Sequence, residues 1–279
     1  MKYVVAVSGG IDSVVMLDVL VSSTEDEFVI AHYDHGIRED SSEDAELVRS
    51  LAKTYGLVFE TYEDKLGPST SEADAREARY RWLESVMETH GADAIATAHH
   101  QDDVIETMII NLIRGTGWRG LISLGNREKL IRPLLSWPKI QIATYAIEHN
   151  LVWHDDSTND DMSFLRNYIR YRYVQRLTVS ERARWIAIHA ATEIVGEVID
   201  TELRALHRHG SSYSRYELIM SGREVTGELL TYAYGRMEKT TIDQLWHFVC
   251  TGKHGKSFRQ GGLEYRLTTR ELIVSPLYS

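Results

Sequence analysis

Over its first 114 residues the chain changes character four times in the same way. A short apolar run suited to a strand gives way to a longer stretch with a helical period. The runs at 3–7, 28–32, 58–62 and 94–98 are rich in Val, Ile, Ala and aromatic residues, and the stretches at 12–21, 39–55, 71–88 and 104–114 carry apolar side chains at helical spacing. Strands that alternate with helices pair in parallel, because each crossover returns the chain to the same end of the sheet. The expected fold class is therefore α/β, a Rossmann-like parallel sheet with helices on both faces. Ligands of such sheets bind beyond the carboxyl ends of the strands, and the polar clusters of this sequence fall at those ends.

Past this region the pattern changes. A short Leu130-Ile131 piece precedes a predicted helix over 139–149, and an acidic stretch, Asp155 to Asp161, leads into a basic helix. A helical period runs through 180–209, further helices are expected near 224–237 and 241–249, and the tail reads as a small hairpin. Two domains are expected: an α/β one over 1–177, and a smaller, mainly helical one over 178–279. Ser41 and Asp44 are spaced like a capping box for the second helix.

Of the 279 residues one is cysteine, Cys250, so no disulfide forms within the chain and no cysteine cluster holds zinc or an iron–sulfur centre. A reducing cytoplasm and a packing role for Cys250 are expected. No apolar stretch approaches the ~20 residues of a membrane span, and Met1-Lys2 leads directly into the first strand without the regions of a signal peptide. The formal charge of −10 hides an asymmetry: residues 1–165 hold 14 basic and 29 acidic side chains, residues 166–279 hold 17 and 12. A polyanion would meet the second part more readily than the first.

The first strand ends in Ser8-Gly9-Gly10-Ile11-Asp12-Ser13. Glycines let backbone N–H groups turn toward a ligand, and the following helix start adds donors and partial positive charge, which suits phosphate. Asp12 does not favour a bare phosphate, so it acts through Mg²⁺ or orients a donor. The lysine of a Walker loop is missing. The plain alternative is a tight strand-to-helix turn with Asp12 as cap.

The full S-G-G-x-D-S resembles the pyrophosphate loop of the N-type ATP pyrophosphatases, which cleave ATP between the α and β phosphates. The later motifs narrow the resemblance: "AHYDHGIR" (31–38), "SEADAREARYRWL" (71–83), "TAHHQDDVIETMIINLIRGTGWRGL" (97–121), "LIRPLL" (130–135) and "DDSTNDDMSFLRNYIR" (155–170). In this order, over about residues 3–177, they are similar to the tRNA(Ile) lysidine synthetase family. That resemblance implies adenylation of C2 of cytidine 34 in a tRNA(Ile) with anticodon CAU, then attack by the side-chain amine of free L-lysine, with release of pyrophosphate and AMP. It implies ATP and Mg²⁺ as cofactors and allows a homodimer.

On this reading Ser8, Gly9, Gly10, Ile11, Asp12, Ser13 and His35 bind ATP. Asp103 and Glu106, i and i+3 on one helix, share a face. They bind lysine, and one of them accepts a proton from its amine. Asp12, Asp103 and Glu106 are the catalytic candidates. The plain alternative is an acidic first turn capped by Asp102. His99 and His100 read as ATP- or loop-positioning groups, with a structural role equally open. Arg79 is a candidate substrate contact, against a surface ion pair with Glu72 or Glu77. Asp34 stands where the family more often has Asn, replacing a donor by an acceptor. Arg114 precedes Gly115-Thr116-Gly117, which is either a glycine cap or a loop near RNA.

Arg166, Arg170, Arg172 and Arg176, interleaved with Tyr168, Tyr171 and Tyr173, are expected on one helix, where arginine and aromatic neighbours suit RNA phosphate and base contacts. Lys253, Lys256 and Arg259 form another candidate contact. Two rival readings are a tRNA thiolase on the same fold, which normally uses several cysteines where this chain has one distal Cys250, and a catalytically silent tRNA-binding protein.

Overall fold

The computed structural model describes residues 1–36, 41–64, 72–125, 128–154, 164–207 and 210–277, with the side chains of residues 41, 42, 72 and 73 outside that description. The expected capping box at Ser41, Arg38 of the second motif and the acidic stretch from Asp155 lie outside the described residues. The chain divides into two compact units, Met1–Thr192 and Glu193–Ser279.

In the first unit five strands form one sheet: β1 (Lys2–Ala6), β2 (Glu27–Asp34), β3 (Val58–Glu63), β4 (Ala94–Ala96) and β5 (Leu130–Ile131). Their order is β3-β2-β1-β4-β5, and every neighbouring pair is parallel. Val4 pairs with Val29 on one side and Ile95 on the other. Alternate residues of these strands enter two different cores. Val5, Val7, Phe28 and Ile30 pack with α1 (Ile11–Ser23), α2 (Ser41–Tyr55) and α6 (Lys139–Glu148). Val4, Val29, Ala31 and Ile95 pack with Leu83, Val86 and Met87 of α3 (Glu72–Thr89). Burial on both faces is why the strands read as unbroken apolar runs. The α/β sheet with helices on both faces is as expected.

The chain builds outward through β1, β2 and β3, then returns past β1 to β4 and β5. The order therefore reverses between β1 and β4, and a crevice opens beyond their carboxyl ends. After β4 come α4 (Gln101–Ile113) and α5 (Trp118–Leu121). α7 (Leu165–Arg172), a 3₁₀ turn (Val174–Arg176) and α8 (Val179–Leu206) follow α6. Ile105 and Ile110 of α4 pack with Ile169, Val174 and Trp185. Residues 178–192, grouped with the second domain in the sequence reading, thus contribute apolar side chains to the first unit.

The basic segment is not one helix. α7 ends at Arg172, and Arg176 lies on the 3₁₀ turn. Ile169 and Val174 would stand about 140° apart on a continuous α-helix, and the change of pitch lets both enter the same core.

The second unit contains the end of α8, α9 (Arg215–Tyr234) and α10 (Lys239–Thr251), together with β6 (Ser212–Ser214), β7 (Ser257–Gln260), β8 (Leu263–Leu267) and β9 (Glu271–Pro276). The tail is more than the expected hairpin: an antiparallel sheet in the order β6-β9-β8-β7. Its fourth strand, Ser212–Ser214, is too short and polar to show a period. α9 begins well before residue 224, with Ser214 Oγ accepting from Glu217 N–H (3.3 Å), and is kinked at Gly222, φ +85°. Cys250 is exposed on α10 rather than packed, because its neighbour Val249 takes the buried position. Among the described residues no helix is long and apolar enough to cross a membrane.

Candidate active site

β1 holds its register to β2 one residue past its end, with Val7 N–H donating to Ala31 C=O (2.9 Å). The chain then leaves the sheet. Gly9 has φ +95°, a conformation costly for any residue with a Cβ, and a Cβ there would stand 3.3 Å from Asp44 Oδ1. Gly10 precedes α1, and its C=O accepts from Ser13 N–H (3.0 Å), Val14 N–H (3.1 Å) and Ser13 Oγ (2.8 Å). Ser13 Oγ in turn accepts from Ser8 N–H (3.1 Å). The two serines brace the loop from within. The N–H groups of Ile11 and Asp12 open α1 and have no acceptor inside the helix. Asp12 does not cap α1. Its Oδ1 accepts from Lys139 Nζ (2.5 Å), and its Oδ2 lies 3.8 Å from His100 Nε2.

The block after β4 is built by local rules. His100 is the N-cap of α4: its Nδ1 accepts from Asp102 N–H (3.2 Å), while Asp103 Oδ2 accepts from His100 N–H (2.9 Å). Asp102 is therefore not the cap, and pairs with Arg182 instead. His99 Nδ1 meets Thr97 Oγ1 (2.9 Å), and burial, aided by Arg132, Arg76 and Arg79, pushes its imidazole down to about 3. His99 is neutral near pH 7. Among the described residues no group of three or more His, Cys, Asp or Glu could hold a metal.

Asp103 and Glu106 share a face of α4 but not an environment. Burial pushes the Asp103 carboxyl up, but the imidazoles of His100 and His99, the His100 N–H and Arg170 outweigh it, and its pKa falls below the usual range. Glu106 is raised: burial dominates over the opposing pull of Arg170. Glu106 has no exposed surface, and both its oxygens accept from Arg170 (Nε 2.7 Å, Nη2 3.1 Å). Arg170 also lies 3.5 Å from Asp103 Oδ1.

Arg170, expected at an RNA-facing surface, is thus turned into this cluster. Arg166 is turned inward too, with Nη2 donating to Thr107 Oγ1 (3.2 Å) and Nε 3.8 Å from Glu106. Arg172 and Arg176 are exposed, as are Tyr168 and Tyr173. Arg114 is exposed at the end of α4. Gly115 follows at φ +67° and donates its N–H to Leu112 C=O (3.0 Å), a glycine helix stop.

Arg79 stands 5.5 Å from the Tyr80 ring, and burial lowers its pKa. Among the described residues no carboxylate pairs with it, and Glu77 is taken by Arg81 (2.9 Å). A desolvated guanidinium in this state suits an anionic ligand group. His35 stacks edge-on against Tyr33, with ring centroids 4.8 Å apart. Asp34 Oδ1 accepts from Gly36 N–H (2.8 Å), a contact that an asparagine oxygen would make equally well.

One cleft of about 1070 Å³ gathers these groups. Ser8, Gly10, Ile11, Asp12, Ser13, His35, Arg79, Asp103 and Arg170 line it. Gly9 is buried behind the loop, and Glu106 sits behind Arg170. Arg114, Arg166 and Arg172 are not among the lining residues. Two residues absent from the sequence-based candidates join the rim. Lys139 reaches Asp12, and His154 meets Asp44 Oδ1 through Nδ1 (2.9 Å) and donates its backbone N–H to Gly9 C=O (3.1 Å). No local pattern marks either residue, since their partners lie more than 100 positions away. The carboxylates lining the cleft are already engaged: Asp12 faces Lys139, Asp34 the Gly36 N–H, Asp44 His154, Asp102 Arg182 and Asp103 Arg170. That donor set fits a magnesium ion carried on nucleotide phosphates rather than one caged by protein.

Residues 1–177 match the family model described as the PP-loop domain. A tRNA(Ile)-lysidine synthase of Thermotoga sp. (strain RQ2) is 41% identical over 180 residues, covering 61% of this chain and 44% of the relative. One of Geobacter sulfurreducens is 38% identical over 188 residues, covering 63% and 40%. The matched region spans less than half the length of these curated relatives. Among solved structures, the U34-tRNA thiolase NcsA from Methanococcus maripaludis with its [4Fe-4S] cluster is similar at TM-score 0.59 and 20% identity, over 71% of this chain and 73% of that one, a likeness of fold. The braced S-G-G-x-D-S loop at the β1–β4 crevice and the match over residues 1–177 agree, and the chain belongs to the PP-loop family.

Proposed function

We propose that the chain is an ATP-dependent tRNA-modifying ligase that forms lysidine at cytidine 34 of a tRNA(Ile) with anticodon CAU. The C2 oxygen of the base attacks the α-phosphorus of ATP and pyrophosphate leaves. The side-chain amine of free L-lysine then attacks C2, AMP leaves, and a carboxylate takes the amine proton. The observation that carries this reading is the convergence in one crevice of a phosphate-type loop and a cleft-facing carboxylate, Asp103, with Arg170 and the buried Glu106 behind it. Asp103, held ionised and facing the cleft, is assigned to the lysine ammonium groups. Glu106, closed off behind Arg170, positions that guanidinium beside Asp103, and Asp103 is the carboxylate placed to take the amine proton.

Ser8 to Ser13 take the triphosphate, His35 lies toward the nucleoside, and Arg79 takes an anionic group of a substrate. Magnesium enters with ATP and neutralises phosphate charge, with Asp12 beside it. RNA contact is assigned to the outward-facing Arg114 and Arg172 and to the segment 178–279, while Arg166 and Arg170, first expected there, are turned onto Glu106. A cytoplasmic setting and a homodimer belong to the same proposal.

The test is transfer of labelled L-lysine to a folded tRNA(Ile) transcript with anticodon CAU, in the presence of MgATP. ATP-dependent labelling is expected, and absent when C34 is replaced by U. RNA that stays unlabelled in the presence of folded enzyme overturns the proposal.

A further inference from the structure

The phosphate loop of this chain has no lysine, yet a lysine stands beside it. Lys139 Nζ is 2.5 Å from Asp12 Oδ1 and lines the cleft with Ser8, Gly10 and Ser13. It comes from the first residue of α6. Two polar contacts mark how α6 lies along α1: Lys139 meets Asp12, and six residues further along each helix Tyr145 Oη donates to Asp18 Oδ2 (2.7 Å). The two helices therefore run parallel, with their N-termini at the same end.

The far end of α6 is held without help from Asp12. Asp18 also accepts from Tyr55 Oη (2.6 Å), and Ile142 and Ala146 are fully buried in the core that contains Val15 and Met16. The Lys139–Asp12 pair is not needed to dock the helix. It is also partly exposed, with side-chain exposures of 43% and 31%, so it contributes little to stability. An ammonium has three donors, and one of them on Asp12 leaves two for a ligand. The other cations of the cleft are differently placed. Arg170 is engaged by Glu106 and Asp103, Arg182 by Asp102, and Arg79 sits on α3.

Building on the ATP-site reading above, we propose that Lys139 is a pyrophosphate-binding residue. Its Nζ, steered by Asp12, donates to the β- and γ-phosphate oxygens and stabilises the charge that gathers on pyrophosphate as the α–β bond breaks. Asp12 is on this view the orienter of that cation, and magnesium rides on the phosphates. The fold supplies from 127 positions downstream the lysine that a Walker loop carries within itself.

The test is calorimetric binding of inorganic pyrophosphate, MgATP and AMP to the full chain and to Lys139→Met. Losing one charge-assisted contact weakens pyrophosphate and MgATP by about 10- to 100-fold, leaves AMP unchanged, and is largely rescued in Lys139→Arg. Equal pyrophosphate affinity in the wild type and Lys139→Met overturns the proposal, as does an equal loss for AMP, which would mark a general disturbance of the cleft. If the methionine variant does not fold, Lys139→Gln takes the same measurements with the same criteria. Failure of the wild-type chain to bind either MgATP or pyrophosphate sinks the ATP-site reading itself, and is thereby distinguished from failure of the lysine alone.

Discussion

Arg170 lies across both oxygens of Glu106, at 2.7 and 3.1 Å, and this fork joins α7 to α4 through a carboxylate with no exposed surface. The pair explains how two segments more than sixty residues apart in the chain come to share one site. It also places an arginine that looks in sequence like an RNA contact among the candidate catalytic groups.

Removing the guanidinium strands a buried charge. Arg170→Met is expected to cost about 3–5 kcal/mol at neutral pH by urea unfolding. The folded pKa of Glu106 is already raised, so its contribution to stability is present at low pH and lost as pH rises through that value. Without Arg170 the pKa rises further, so the penalty in the variant should shrink as pH falls and Glu106 protonates. A penalty independent of pH would mean that the fork is not what holds these helices.

Asp103→Asn should abolish lysine transfer while keeping the fold. The asparagine oxygen can still accept the His100 N–H that caps α4, but the negative charge facing the cleft is gone. Circular dichroism and melting temperature should stay near wild type while the labelling assay falls to background. Retained transfer would remove Asp103 from its role.

Gly9→Ala tests the loop. Its φ of +95° and the 3.3 Å approach of a Cβ to Asp44 both oppose a side chain. A loss of about 1–3 kcal/mol in stability is expected, with weaker MgATP binding, because the loop N–H groups must reorient. Calorimetry and thermal melts give the two numbers separately.

His99, held down to about 3 by burial, has a folded pKa below its unfolded value near 6.5. Its stabilising contribution is present above the unfolded pKa and lost as pH falls from there toward 3. His99→Asn should flatten that part of the acid-unfolding profile, and the His99 imidazole should show no NMR titration between pH 5 and 8. A titration midpoint near 6.5 would contradict its burial.

Much of the first unit was legible because its causes are local. Alternating runs such as Phe28–Ile30 must be buried on both faces, a glycine at φ +95° follows from Ser8-Gly9-Gly10, and the spacing of Asp103 and Glu106 puts them on one side of α4. The four-stranded sheet of the second unit was only half visible, since a three-residue polar strand has no period of its own. The cap on α4 is His100 rather than the Asp102 of the plain alternative, and Arg182, eighty positions away, takes that aspartate.

Residue order alone determined the parallel α/β pattern of the first unit and the turn that opens beyond its first strand, because hydrogen-bond period and backbone sterics act over a few residues. Which charge meets which was left to the three-dimensional packing. Lys139 reached Asp12, Arg170 reached Glu106 and His154 reached Asp44 through helices docked by apolar burial, which is non-directional in sequence and specifies partners only once the core has closed.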